Sequence, residues 1–377
     1  MKNRINKYFF HEFIRYFAVV LFASTAIIWT IQAVNFLDLV TDDGHSFKIY
    51  LFYSFLTLSK IITKLIPFTF LIASILTILK FEKDNELIIL WTSGLNKIFI
   101  VNLVFRISLL IMFFQLIMSS LVAPETLNLS RSLLKNSQLQ FVPSLLKEKQ
   151  FNDTVENLTI FVEKKNIDGF YENIFIRDEG TILTKISSGS STIFAKSAYV
   201  TEDEKNLVLL NGNIQKLESD GSVDIIKFEK TVLNLSGLST KSISEPKIQE
   251  TSTKSIILCI QKKNIGKHNC DDDKKSLMDI KIEFNKRFGM PFYIPLIALV
   301  CCFLLASRKD RKFFYLNKYI YFGISFIILT LAEILVRYSG ESFNHTVFYY
   351  MIPVLVAPIF YFALTRAFKY ENLTQKI

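Results

Sequence analysis

Residues Ile49–Leu79 read IYLFYSFLTLSKIITKLIPFTFLIASILTIL. A bilayer core about 30 Å thick is crossed by roughly 20 apolar residues in a helix. This stretch is long enough to cross with tilt, or to hold a functional break at Leu65-Ile66-Pro67. Lys60 and Lys64 interrupt it four residues apart, so they share one helix face. An ionised Lys at the bilayer centre costs about 3 kcal/mol on insertion scales. Two on one face, with no carboxylate close by on the same helix, read as an aqueous cavity or as the site of an anionic ligand. The competing reading is a pair that snorkels to the outer interface.

Five further runs of this kind lie outward from it: Phe17–Leu37, Ile98–Ala123, Met290–Ala306, Tyr319–Val336 and Val347–Ala367. The first follows Lys2, Arg4, Lys7 and Arg15, but it is too long for a signal peptide and lacks a small-x-small cleavage site, so it reads as a retained helix. Glu333, in the fifth run, reads as pairing with Lys60 or Lys64 or as lining the same cavity. Half of the 377 residues are hydrophobic and 21% are charged, against about 25% in ordinary globular chains. That balance excludes a disordered, collagen-like or wholly soluble protein and places the chain in a membrane with a polar part attached.

Orientation follows from the Lys and Arg residues in short loops. The N-terminus, the segment Lys80–Lys97, the segment Arg308–Lys318 and the C-terminal tail carry fifteen, and the segments Asp38–Lys48 and Arg337–Thr346 carry two. Both termini are therefore expected in the cytoplasm and the long middle segment outside. The net charge of +10 is then largely a topology signal. No basic patch with interleaved aromatics stands outside these flanks, so no nucleic-acid partner is expected.

The middle, Pro124–Asn285, has a different period. Leu158–Val162, Ile174–Arg177, Thr181–Ile186, Thr192–Val200, Leu207–Leu210, Ile214–Leu217 and Val223–Phe228 are short runs rich in Ile, Thr, Val and Phe. Asp168-Gly169, Asn211-Gly212 and Asp220-Gly221 separate several of them and read as hairpin turns. The expectation is an all-β sandwich or roll. Ser236–Thr253 reads as a surface linker and Asp271–Asp273 as part of a solvated turn.

The chemistry of enzymes is missing. Gly266-Lys267 has Gln261 where a phosphate loop needs its first glycine, and there is no H-E-x-x-H, G-x-S-x-G or C-x-x-C. His11, His45, His268 and His345 are scattered. No catalytic residue, metal site or cofactor is assigned to this chain, and any nucleotide hydrolysis must come from a partner. The segment Lys80–Lys97, KFEKDNELIILWTSGLNK, reads as a short amphipathic helix over Glu86–Trp91 ended by Ser93-Gly94. Such a helix between two spans suits docking into a groove of a cytoplasmic partner. Its bland alternative is a plain interfacial turn. Cys259 and Cys270 fall in the exported part, where a disulfide is permitted. Cys301 and Cys302 read as small packing residues in the fourth span.

The order of three helices, a β-rich insertion and three helices comes with local matches. Gln32-Ala33-Val34-Asn35-Phe36-Leu37-Asp38 closes the first helix and Leu65-Ile66-Pro67 breaks the second. Asn85-Glu86-Leu87 precedes Ser93-Gly94-Leu95, Leu158-Thr159-Ile160-Phe161-Val162 precedes Asp168-Gly169 and Ile174-Phe175-Ile176, and Glu283-x-x-x-Arg287-x-x-x-Pro291 opens the fourth helix. Together they resemble the LptF/LptG family of lipopolysaccharide export permeases, more the LptF branch, over nearly the whole chain.

The resemblance implies a membrane α+β fold: transmembrane helices 1–3 in residues 1–123, a periplasmic β-jellyroll-like domain in 124–285, and helices 4–6 in 286–377. It implies a Gram-negative inner membrane, an LptG-like sister permease, an LptB-like ATPase dimer that uses the ATP, an LptC-like protein, and lipopolysaccharide as cargo. It gives the helix bearing Glu86, Leu87, Trp91 and Gly94 the role of coupling to the ATPase. The family places basic residues near the outer ends of its first helices to meet lipid phosphates. Here the first helix ends in Gln32, Asn35 and Asp38, and Lys60 and Lys64 are the expected substitutes. Two other readings stand beside this one: a permease for another lipid or a lipoprotein, and a membrane-anchored periplasmic assembly module without transport.

Overall fold

Inside a bilayer every backbone N–H and C=O must be bonded within the protein, so apolar runs of this length fold as helices. The structure is a computed structural model. It describes residues 2–41, 46–136, 146, 148–153, 157–166, 169–179, 190–201, 206–217, 222–234, 247–261, 274–306 and 314–374. Among these residues six helices are long and apolar enough to cross a membrane: Arg4–Val40, Phe47–Lys83, Lys97–Leu134, Lys275–Ala306, Lys318–Tyr338 and Phe343–Lys369. They are spans 1 to 6 below. Each run expected from the sequence lies inside one of them. A six-stranded antiparallel sheet is inserted between spans 3 and 4. The fold is a membrane α+β architecture with an inserted β domain. The expected strand Thr181–Ile186, most of the linker Ser236–Thr253, the turns at Asp220-Gly221 and Asp271–Asp273, and Cys270 lie outside the described residues.

The chain forms two compact units. One comprises Met1–Thr30, Thr57–Asn128 and Ile248–Ile377; the other comprises Ile31–Leu56 and Leu129–Lys247. The first unit is built on aromatic packing. Phe9, Phe13 and Phe17 recur at helical spacing on span 1 and are buried with Phe70 and Phe81 of span 2. The ring centroids of Phe9 and Phe81 are 4.9 Å apart, and those of Phe13 and Phe70 are 5.5 Å apart. Span 4 is the centre of this unit: every residue from Tyr293 to Cys302 is buried. Tyr293 donates its phenolic hydrogen to the Tyr349 carbonyl at 2.9 Å, which joins spans 4 and 6.

Span 4 begins well before the apolar run Met290–Ala306. Its first part, Lys274–Gly289, reads KKSLMDIKIEFNKRFG and is helical. The segment is too charged to read as a span, yet two of its polar side chains, Asn285 and Arg287, are buried, while Lys275, Asp279 and Lys281 are exposed. Span 2 does not break at Leu65-Ile66-Pro67: the helix runs on through Pro67, which only offers no N–H to the carbonyl of Thr63 four residues earlier. Span 3 widens into a π-helix over Met118–Val122, a feature that often marks functional sites.

The second unit holds the sheet, ordered β1-β2-β3-β4-β5-β6 in chain order: Phe151–Asn152, Leu158–Lys165, Phe170–Asp178, Ser191–Val200, Asn206–Leu217 and Val223–Asn234. Asn211-Gly212 is not a hairpin turn. It sits in the middle of β5, which runs unbroken from Asn206 to Leu217. Asn211 does adopt a left-handed backbone, φ 53, and the strand uses it for a crease. Asn173 on β3 has φ 50. The ladders lose their pairing along one line, at Glu163 opposite Asn173, Asn173 opposite Lys196, Lys196 opposite Asn211, and Asn211 opposite Glu229.

Side-chain alternation changes phase across that line. Ile174, Ile176, Ile193 and Ala195 are buried on one side of it, and Tyr171, Ala198, Leu207 and Leu209 on the other. A single left-handed residue, tolerated by Asn, lets both halves of a strand bury the same face. Gly212 is required beside it. A Cβ there would lie 2.2 Å from the Phe194 carbonyl oxygen and 2.5 Å from the Phe228 ring.

Candidate functional site

The two lysines of span 2 open onto a cleft in the first unit. Lys64 is exposed and Lys60 half-buried. The cleft is lined from span 2 by these lysines with Thr63 and Pro67, and from span 3 by Gln115, Ser119, Ala123, Pro124 and Leu127. Span 4 contributes Glu283, Lys286, Arg287 and Met290, and span 5 contributes Glu333. Its interior holds about 90 Å³ of free space. Four cations and two carboxylates thus face one small volume among apolar walls.

The charges differ in how they are held. Arg287 is 3% exposed and its Nε donates to Glu283 Oε1 at 2.9 Å, one helical turn away. Its two terminal nitrogens donate to Thr253 Oγ1 at 3.0 Å and to the carbonyl oxygens of Ile248 and Gln249 at 3.5 and 3.1 Å. The planar guanidinium fork is the side chain suited to bridging a carboxylate and several carbonyls at once. It ties the segment leading back from the sheet to the start of span 4. Ser119, in the π-helix, donates to the Arg287 carbonyl at 2.8 Å, and Thr253 donates to the carbonyl of Ser120. Lys286 pairs with Glu333 at 2.9 Å, and these side chains keep 33% and 46% of their exposure. Gln115 is buried, and its side-chain oxygen has no hydrogen-bond partner among the described residues. The cleft therefore has a fixed cation, a softer ion pair, two lysines and an unmet acceptor. Chemically it suits a group with negative charge and hydroxyl or amide donors.

The expected amphipathic helix forms over Glu86–Thr92. Leu87 is buried, and Leu90 and Trp91 pack against the same core. Ile88 and Ile89 point outward, 51% and 62% exposed. Glu86 accepts a hydrogen bond from Tyr8 at 3.0 Å. Gly94 ends the helix at φ 84, a conformation that favours glycine, with its N–H bonded to the Trp91 carbonyl at 3.1 Å. Lys97 Nζ lies 5.9 Å from the Trp91 ring centre and 5.6 Å from that of Phe368.

With this geometry in place, the comparison with known families is decisive. The family model described as lipopolysaccharide export system permease LptF/LptG matches residues 7–367. The chain belongs to that family. A relative, the "uncharacterized protein RP871" of Rickettsia prowazekii (strain Madrid E), is 27% identical over 270 residues, which cover 68% of this chain and 73% of that protein. As an LptF/LptG permease with six spans, the protein is a multi-pass inner-membrane transport subunit and not an enzyme.

Sequence reasoning singled out Lys60, Lys64 and Glu333, and the fold of this permease brings all three to one cleft. It offered Glu333 as a partner of Lys60 or Lys64 or as lining the same cavity; Glu333 does line the cleft, and it forms an ion pair with Lys286. Lys286, Arg287 and Gln115 were not assigned to the site. The spacing Glu283-x-x-x-Arg287 was visible, but nothing in one sequence says which span it faces. The Tyr8–Glu86 bond was likewise out of reach, because the two residues are 78 apart. Cys259 is disulfide-bonded, and Cys270 lies outside the described residues. Cys301 and Cys302 are buried free thiols. On the sheet, Phe161, Phe175, Phe194 and Phe228 line a hollow of about 660 Å³ along the crease, with Lys196 and Lys227 at its edge.

Proposed function

We propose that this protein is the permease subunit of an ATP-driven exporter that takes lipopolysaccharide from the inner membrane and hands it toward a periplasmic bridge to the outer membrane. The observation that carries the reading is the cleft where Lys60 and Lys64 join Lys286 and Arg287. Phosphate groups on a lipid are matched by clustered cations in a water-poor site. Leaving a bilayer is costly for a multi-chain lipid, at about 0.8 kcal/mol for each CH₂ brought into water. Apolar faces of the spans replace the bilayer around the tails while the cations hold the headgroup. The sheet carries a Phe-lined hollow of its own that suits apolar tails.

In this reading both termini are cytoplasmic and the sheet is periplasmic, in line with the Lys and Arg distribution. The helix Glu86–Thr92 then faces the cytoplasm. Exposed Ile88 and Ile89 meet an ATPase dimer there, and Leu87 and Trp91 transmit its movement to the core. The chain works beside an LptG-like or LptF-like sister permease and an LptC-like protein, and holds no cofactor of its own.

The test is purification of the tagged protein from its own membrane, with mass spectrometry of proteins and lipids that accompany it. An ATPase, a second permease of this family and bound lipopolysaccharide are expected. A different bound lipid would replace the cargo, and the absence of any ATPase would remove the transport reading.

A further inference from the structure

The cleft contains its own anion. Glu333 holds Lys286 at 2.9 Å, yet both side chains remain substantially exposed, unlike Arg287, which is locked by Glu283 and three further acceptors. A partly exposed ion pair contributes little and is held loosely. A carboxylate this close to further cations also opposes an arriving anion, because like charges at close range repel.

We propose that Glu333 is a stand-in for phosphate. It neutralises Lys286 while the cleft is empty, is displaced when a lipid with two phosphate groups enters, and competes for Lys286 again to favour release. The inference rests on the reading of the cleft as a lipid-phosphate site and adds how occupancy is limited. Lys60 and Lys64 meet one phosphate and Lys286 the second. The unmet Gln115 acceptor takes a hydroxyl or amide hydrogen of the headgroup. A headgroup with one phosphate has no need of Lys286 and leaves the Lys286–Glu333 pair closed.

The test uses the full-length protein, purified into nanodiscs with the subunits that accompany it. The probes are lipid A with two phosphates, lipid A with one, and inorganic pyrophosphate. Affinity and dissociation rate are measured for the native protein, Glu333→Gln, Lys286→Gln and the double variant. We expect Glu333→Gln to tighten the two-phosphate lipid on the order of tenfold, mainly through slower dissociation, and to tighten the one-phosphate lipid less. Lys286→Gln abolishes the preference for the second phosphate. The double variant, which keeps a neutral hydrogen-bonding pair, loses that preference with the fold intact. Pyrophosphate binds more weakly than either lipid.

Unchanged affinity in Glu333→Gln, or a surviving two-phosphate preference in the double variant, overturns the proposal. If Lys60→Gln with Lys64→Gln still weakens both lipids in that case, the phosphate reading of the cleft stands and only the role of Glu333 falls. If that pair of substitutions changes nothing either, both fall. Pyrophosphate as tight as the lipids would assign the site to free phosphate and overturn the lipid commitment.

Discussion

Tyr8, near the start of span 1, donates its phenolic hydrogen to Glu86 Oε1 at 3.0 Å. The bond fixes the first turn of a seven-residue helix that is too short to hold itself in water. Glu86 thus has two candidate tasks, positioning its own helix and meeting a partner. The two are separable. Tyr8→Phe removes only the internal bond, at a net cost of about 1 kcal/mol, and is expected to leave ATPase recovery in a pull-down within a few-fold of native. Glu86→Ala is expected to lower recovery much further. Equal losses in both variants would show that Glu86 acts only by holding the helix.

Charge reversal at the cleft tests the proposed lipid contact directly. Lys60→Glu with Lys64→Glu puts two carboxylates where the native protein has two cations on one helix face. Photocrosslinking of lipopolysaccharide from a probe near the cleft should drop to background while the protein stays in the membrane. Undiminished crosslinking would retire the site.

Arg287 serves structure more than binding. Replacing it by Met leaves Glu283, whose side chain is 16% exposed, beside two carbonyls and Thr253 without their donor. Removing one partner of a buried ion pair costs about 3–5 kcal/mol. Arg287→Met should lower the thermal transition of the detergent-solubilised protein by several degrees. Arg287→Lys should rescue little, since an ammonium cannot span the same acceptors. A full rescue by Lys would contradict the bridging role.

The sheet crease makes a sharp pair of substitutions. Gly212→Ala forces a Cβ against the Phe194 carbonyl oxygen and should destabilise the β unit by about 1–3 kcal/mol, seen as faster limited proteolysis between β1 and β6. Asn211→Gly, one residue earlier, preserves a left-handed backbone that glycine adopts freely. It should leave the digestion pattern close to native.

Much of this was legible in the chain itself. The six spans were readable because apolar length in a bilayer permits one backbone solution, and the sheet because period-two alternation in β-branched residues survives from one strand to the next. Lys60 and Lys64 stood out as a pair because both interrupt an apolar run on one helix face, and the fold places both on one cleft. Tertiary structure alone decided the rest. It set Lys286 against Glu333, turned Asn211-Gly212 from a turn into a crease, and carried span 4 back to Lys274. These outcomes depend on which face of a helix or strand meets which neighbour across long separations, and a single sequence records the residues but not the rotation that brings them together.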